Sequence, residues 1–313
     1  DPRHVERLWD KLYVGSAYYG RRGIAMQCIS AIDNCLWSIR AQAAGVSLAT
    51  LLGGARRDRV TAYASTLFRE TPEGMAQAAR DYVEKGFKAV KFGWGVFGED
   101  SGRDRELVAA AREALGPDRD LLVDPGWYPA GWKNPPPLSG PMRSRRDAIA
   151  LCEWLADYGV GWVEDFIHPE RFDEYAQVRA SPTPVAAGEQ VATVWEFERF
   201  IRSGCVDVIQ PDLSRCGGVT VAKQVAALAM EEGVDFVPHS WLTHLLTAYS
   251  LQVIATLPRA RFVEFNVSQS GLTRGVCAGT PFTLQSDGTV AIPDAPGIGA
   301  EVDTDFIKAH RIN

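Results

Sequence analysis

Acids seldom end a buried strand by chance. In the stretch Gly161–Glu170, GWVEDFIHPE, the apolar run Gly161-Trp162-Val163 leads directly into Glu164 and Asp165, then into a loop carrying His168 and Pro169. Successive side chains on a strand face opposite ways, so Trp162 and Glu164 share a face, and only one of the two acids is expected to point with the core. Taken alone, the stretch reads equally well as a solvated strand end. The pattern recurs, however, because an ionisable residue follows one short apolar run after another: Lys91, Asp124, Glu164, Glu189, Asp212, His239 and Glu264. If those runs are strands of one barrel, their C-terminal ends share a rim and these residues form a single site. Satisfying loop backbone explains one or two of them but not the series.

Asp124, Glu164 and Glu189 come from consecutive strand ends, and three crowded carboxylates repel one another unless a cation lies between them. Oxygen ligation without a neighbouring Cys or His favours Mg²⁺ over zinc. Asp212, in VIQPDLSRCGG, and His239, in DFVPHSW, pair an acid with an imidazole. Such a pair makes a general base or acid able to work near neutral pH. For His239 by itself, a satisfied structural histidine is the plain alternative. His244 competes for the dyad position, and His239 is preferred because it directly follows the apolar run. Lys91 is either a source of positive charge for an anionic substrate or a snorkelling lysine at a strand end.

The elements that must bring these residues together alternate in type. Strands are expected at Val60–Ser65, Ala89–Phe92, Leu121–Asp124, Trp162–Glu164, Val185–Gly188, Val206–Gln210, Phe236–Pro238 and Phe262–Glu264, with helical stretches between them. Strict alternation implies parallel strands with helices outside, an α/β class, and eight strands predict a closed β/α barrel. A doubly wound sheet is the alternative, but the Gly-rich phosphate loop it usually carries after its first strand is missing from the sequence. Ahead of the barrel, Ile24, Cys28, Ile32, Cys35, Leu36, Ile39 and Ala43 recur at helical spacing and predict one buried stripe. Beyond Leu272 the alternation ends, and Ser286-Asp287-Gly288 predicts a turn between two short β segments. The expected division is a capping region over 1–56, a catalytic barrel over 57–270 and a C-terminal segment over 271–313 that packs on the cap.

With 313 residues and 46% hydrophobic content the chain can bury a large core. A net charge of −6 and the absence of a Lys/Arg run argue against nucleic acid or an anionic membrane surface as partner, leaving a small molecule. The sequence has neither an apolar run of membrane-spanning length nor a signal-peptide pattern at DPRHVERLWD. Cys28, Cys35, Cys152, Cys205, Cys216 and Cys277 are scattered, which suggests reduced core thiols in a cytoplasmic protein.

The order of Lys91, the acids Asp124, Glu164 and Glu189, and the pair Asp212/His239 resembles the enolase superfamily, in its mandelate racemase-like branch. The likeness runs from the helix at Ile24 to the tail. It implies a modified β/α barrel in which Asp124, Glu164 and Glu189 hold Mg²⁺ and His239, oriented by Asp212, is a catalytic base or acid. It also implies that Glu264 hydrogen-bonds the substrate carboxylate or enediolate, that Lys91 supplies catalytic positive charge, and that the protein forms a homo-oligomer. By the same likeness the chain begins inside a β-rich capping region.

One departure bears on the reaction. The family commonly ends its second strand in Lys-x-Lys, with the second lysine a base facing the histidine, whereas this chain has Lys91-Phe92-Gly93. Two-base racemisation needs an acceptor on each face. Dehydration needs only His239, which takes the α-proton and returns it to the leaving β-hydroxyl, giving an enol that tautomerises to a 2-keto-3-deoxy acid. The resemblance therefore implies a Mg²⁺-dependent lyase, a dehydratase of a sugar acid (aldonate or aldarate). The alternatives are a racemase, epimerase or cycloisomerase acting on a carboxylate, with Lys91 as base, and a non-enzymatic ligand-binding barrel. The loop after Asp124, PGWYPAGWKNPPPLSGPMRSRR, offers Trp127, Tyr128, Trp132 and Lys133 as pocket walls. Trp94, His168, Trp241 and His244 are further candidates, although aromatics also fill barrel rims by packing alone.

Overall fold

Backbone punctuation sets where the elements start. Thr71 accepts a hydrogen bond from Gly74 N ahead of Pro72 in the first helical turn, and Ser144 with Asp147 forms a reciprocal capping box. The computed structural model describes residues 1–127 and 143–311. Three helices come first, α1 (Val5–Ser16), α2 (Gly23–Ala43) and α3 (Leu48–Leu51). Strand and helix then alternate: β1 (Arg59–Leu67), α4 (Pro72–Glu84), β2 (Ala89–Gly93), α5 (Ser101–Leu115), β3 (Asp120–Asp124), α6 (Arg145–Ala156), β4 (Val160–Glu164) and α7 (Phe172–Val178). They continue with β5 (Val185–Ala187), α8 (Thr193–Arg202), β6 (Val208–Ile209), α9 (Gly218–Glu232), β7 (Asp235–Phe236), α10 (His244–Ala255) and β8 (Val263–Asn266). The tail holds α11 (Gly271–Gly275), β9 (Thr289–Ala291) and α12 (Thr304–Ala309).

β1 to β7 are parallel neighbours in chain order, and β8 returns to pair in parallel with β1. This is the TIM-like α/β barrel expected from the alternation. Among the described residues no backbone ladder joins β7 to β8. Side chains bridge that seam instead: Glu264 on β8 accepts from Ser240 N, and Asn266 donates to Trp241 O. β6 and β7 are shorter than expected because Pro211 and Pro238, which lack an N–H, follow them closely. Parallel pairing resumes past both prolines as an isolated bridge between Asp212 and His239.

A layer of inward-facing residues fills the barrel: Tyr63, Ala89, Leu122, Trp162, Ala186, Val208, Val237 and Phe262. The rings of Tyr63, Trp162 and Phe262 meet edge to face at 5.6–6.0 Å, and the alanines opposite make room for them. A larger core lies between the outer strand faces and the helices.

The tail makes the expected turn, with Asp287 accepting from Thr289 N and Leu284 bridging Val290. Its second segment, β9, adds antiparallel to β1. Residues 293–298 then lie against α3 and α10, where Leu48 N donates to Gly297 O and Gln252 donates to Pro293 O. Among the described residues, no helix is long and apolar enough to cross a membrane.

α2 is turned the opposite way from its expected stripe. Ile24, Cys28, Ile32, Cys35 and Ile39 are exposed, and Ser30, Asp33, Asn34 and Trp37 are buried. The helical period was right, but hydrophobicity pointed to the wrong face. The buried polar side chains are satisfied by the chain at 213–220, which offers backbone groups that no apolar stripe could pair.

Replacing Trp162 by Ala empties the centre of the inner layer and is expected to lower the unfolding free energy by about 3–5 kcal/mol in urea titrations. A loss below 1 kcal/mol would show that the layer does not carry the barrel. Burial raises the Asp33 carboxyl from 3.8 to about 6, against the pull of its hydrogen bonds from Thr220. Since this folded-state pKa lies above the unfolded one, stability is greater below pH 4 and falls as pH rises toward 6, by about 3 kcal/mol. Asp33→Asn removes that slope, so its urea midpoint should gain on the wild type across this interval; parallel pH curves would contradict the assignment.

Candidate active site

Strand period two explains where the functional residues stand. Two positions beyond Tyr63, Ala89, Leu122, Trp162, Val208, Val237 and Phe262 come Ser65, Lys91, Asp124, Glu164, Gln210, His239 and Glu264. The site is thus the next inward layer, resting on a dry apolar floor. β5 breaks the rule. Two beyond Ala186 is Gly188, whose φ of 135° and lack of a Cβ let the chain turn so that Glu189 enters the rim. A Cβ on Gly188 would lie 3.0 Å from Gln210 N.

Lys91 is the hub of this layer. Its Nζ lies 2.5 Å from Glu164 Oε1, 3.1 Å from Glu264 Oε1 and 3.8 Å from Asp124 Oδ2, all fully enclosed. Burial disfavours its charge, yet Glu164 and Glu264 outweigh burial and raise its pKa well above the ordinary lysine value. The snorkelling alternative is therefore excluded. Glu164 also accepts from Trp162 Nε1 at 3.0 Å and Gln210 Nε2 at 2.9 Å, and Glu264 accepts from Ser65 Oγ at 2.6 Å. Burial pushes the Glu264 carboxyl up, but Lys91 and His239 hold it below its usual range.

His239 Nδ1 meets Asp212 Oδ2 at 2.8 Å, and its Nε2 meets Glu189 Oε2 at the same distance. Asp212 Oδ1 accepts from Ser214 N and Oγ at 2.7 and 2.5 Å, which leaves Oδ2 for the imidazole. Burial works against protonating His239, while Glu189, Glu264 and Asp212 raise its proton affinity well above the ordinary value. Arg215 lies across the pair, 3.2 Å from Glu189 Oε1 and 3.5 Å from Asp212 Oδ2.

Asp165 corrects the expectation that only one acid of its pair turns inward. Both Glu164 and Asp165 are buried. Asp165 lies past the end of β4 with φ of 42°, so strand alternation no longer governs it. Burial, then the nearby Glu189, Glu164 and Asp124, push its carboxyl well above the usual range, and burial with Glu164 and Glu189 does the same to Asp124.

The acids crowd one another, yet among the described residues no three ligand-type side chains converge tightly enough to hold an ion as they stand. Glu164 is turned to Lys91 and Glu189 to His239. Their donor chemistry fits a hard cation: all are carboxylate oxygens, Glu164 and Glu189 raise the proton affinity of Asp124, and Asp165 Oδ2 and Gln210 Oε1 are buried without hydrogen-bond partners. Gathering Asp124, Glu164 and Glu189 about one ion requires Glu189 to turn from His239.

A cavity of about 410 Å³ opens over this layer, with Lys91, Asp124, Glu189, His239 and Glu264 in its floor and Trp94, Trp241 and Arg215 in its wall. Position 93 also borders it. A Cβ there would come within 3.0 Å of Asp124 Oδ2, so glycine allows Asp124 to sit close to the second strand. Trp127 and His168 pack edge to face at 4.6 Å, and His168 Nδ1 accepts from Glu170 N. Tyr128, Trp132 and Lys133 lie outside the described residues. His244 does not line the cavity: it starts α10 with its ring against Phe265 and Phe282, away from the imidazole role considered for it. Sequence reasoning missed Ser65 and Gln210, although period two places both in the layer. It also missed Arg215, whose only signal was its place three residues after Asp212.

Comparisons with known proteins agree with the fold. The enolase C-terminal domain-like family matches residues 74–306. The chain is 34% identical over 327 residues to the D-galactarolactone cycloisomerase of Agrobacterium fabrum (strain C58), covering 100% of this chain and 81% of that protein. It is 29% identical to the D-gluconate dehydratase of Thermoproteus tenax, covering 99% of this chain and 61% of that protein. The crystal structure of the 3,6-anhydro-D-galactonate cycloisomerase from Zobellia galactanivorans superposes with a TM-score of 0.89 at 29% identity, over 100% of this chain and 83% of that one.

Replacing Lys91 by Met leaves Glu164 and Glu264 buried without their cation. The expected loss is about 3–5 kcal/mol of stability in chemical denaturation with EDTA present. An unchanged midpoint would mean that Lys91 does not hold the layer together.

Proposed function

Since the chain belongs to the enolase superfamily, in its mandelate racemase-like branch, we propose that it dehydrates a sugar acid, an aldonate or aldarate, to a 2-keto-3-deoxy acid, as a Mg²⁺-dependent hydro-lyase. The observation that carries this reading is one-sided: an Asp212-oriented His239 borders the cavity, and the facing position on β2 is Gly93. The D-gluconate dehydratase relative supports it further.

Asp124, Glu164 and Glu189 would hold the Mg²⁺, which when bound would supply positive charge against the substrate carboxylate and its developing enediolate. Lys91 and Glu264 border the cavity side by side; Lys91 orients that carboxylate by its charge, and Glu264 holds the Lys91 ammonium in place. Once Glu189 has turned from it, His239 Nε2 takes the α-proton, and the C–H electron pair moves into the carboxylate. The β-carbon–oxygen bond then breaks, His239 returns its proton to the departing hydroxyl, and water leaves. The enol that remains tautomerises to the 2-keto acid. Asp212 keeps Nδ1 protonated throughout, so that Nε2 is the nitrogen that exchanges protons. Trp94 and Trp241 wall the cavity and limit water.

A second reading shares the proton abstraction and ends in epimerisation or cycloisomerisation of a carboxylate; the D-galactarolactone cycloisomerase relative favours it. Lys91 is a poor base for that course because three carboxylates surround its ammonium group.

The test is a screen of the protein against a stereochemically complete panel of mono- and diacid sugars, with Mg²⁺ and then with EDTA, following 2-keto-3-deoxy product. Product is expected with Mg²⁺, none with EDTA, and turnover reduced about a hundredfold or more in Asp212→Asn with substrate binding retained. Deuterium uptake at Cα without dehydration would replace this reading by the second. Neither signal across the panel would replace both by a ligand-binding role.

A further inference from the structure

The buried face of α2 sets Ser30, Asp33 and Asn34 among the apolar Met26, Ile29, Trp37 and Ala41, and those polar side chains are spent on one short stretch of chain. Asn34 donates from Nδ2 to Leu213 O at 2.9 Å and accepts at Oδ1 from Val219 N at 3.0 Å. One side chain thereby ties together the two ends of the loop that follows Asp212. Between those ends, Ser30 Oγ accepts from Gly217 N at 2.9 Å. Asp33 accepts from Thr220 N and Oγ1 at 2.9 and 2.6 Å.

The loop itself is tightly constrained. Gly217 and Gly218 have φ of 121° and 77°, and a Cβ on Gly218 would lie 2.4 Å from Asp33 Oδ2. The loop backbone therefore lies directly against the Asp33 side chain, with room for no side chain of its own at Gly218. The stretch held this way carries Ser214 and Arg215. Ser214 occupies Asp212 Oδ1, which directs Oδ2 to His239, and Arg215 spans Asp212 and Glu189. A loop with two left-handed glycines and no strand of its own would not hold these contacts unaided.

We propose that Asn34, assisted by Ser30, is a positioning residue for the Asp212–His239 dyad: α2 sets the loop 213–219 so that Asp212 presents Oδ2 to His239 Nδ1. The inference rests on the dyad having the role given above. Asn34 touches neither the cavity nor His239, so its effect passes entirely through Leu213 and Val219. This accounts for the inverted burial of α2: the helix offers the loop donors and acceptors, which its apolar face could not.

The experiment reads the dyad without any substrate, so its outcome is separate from that of the sugar-acid screen. The protein holds five histidines, and ¹⁵N-labelling of histidine gives the ring signals of His239. Wild type is expected to show a downfield Nδ1–H proton, the mark of the bond to Asp212. In Asn34→Ala this signal should broaden beyond detection or shift upfield, with the His168 and His310 signals unchanged. Ser30→Ala, which deletes one hydroxyl that accepts from Gly217 N and donates back to Met26 O within its own helix, should show the same change at smaller amplitude. Thr183→Ala removes a buried 2.6 Å hydrogen bond to Cys152 O at the other end of the barrel and serves as the control for general loosening. Wild-type His239 signals in both α2 variants would overturn the proposal, as would an equal disturbance in Thr183→Ala.

Discussion

Buried carboxylates must find compensation or surrender their charge, and the rim of this barrel gathers the buried Asp124, Glu164, Asp165 and Glu264 with the half-buried Glu189. Two cationic centres answer them. Lys91 holds Glu164 and Glu264 on one side of the cavity, and His239 with Arg215 holds Glu189 on the other. Asp124 and Asp165 are the carboxyls of this group that burial and their neighbours push toward neutrality. Such an arrangement pairs Glu164, Glu264 and Glu189 with cationic groups and leaves Asp124 and Asp165 short of compensation. That imbalance, more than any one distance, is why a hard cation belongs in the chemistry proposed for it.

The apolar layer beneath gives the charges their strength. Tyr63, Trp162 and Phe262 exclude water from below, so each contact above acts in a medium of low polarity. Trp162 serves both layers, since its ring fills the barrel and its Nε1 donates to Glu164. The seam between β7 and β8 shows the same economy. Where backbone pairing stops, the Glu264 carboxylate accepts from Ser240 N, so a side chain of the candidate site also closes the barrel.

Outside the barrel, α2 carries a burden that an ordinary packing helix does not. Its Trp37 donates to Thr220 Oγ1, and Trp9 of α1 donates to Gly217 O, so both early helices hold the start of α9. The buried face mixes polar Ser30, Asp33 and Asn34 with Met26, Ile29 and Trp37, and the face left outward holds Ile24, Ile32 and Ile39.

Much of this was legible in the sequence because strands impose a period of two and barrels impose a common rim. Lys91, Asp124, Glu164, His239 and Glu264 follow from reading one polar residue past each apolar run, and the same rule applied strictly would have found Ser65 and Gln210. The alternation of elements was enough for an α/β barrel. Tertiary structure decided the positions where local rules are broken. Asp165 turns inward through a left-handed backbone, Glu189 arrives past a glycine, and Arg215 is placed by a loop whose path depends on a helix far away in sequence. The orientation of α2 could not be read from hydrophobicity, because the backbone groups that satisfy Ser30, Asp33 and Asn34 belong to residues more than 170 positions later. A periodic pattern reveals that a helix has two faces; only the partner it meets decides which one is buried.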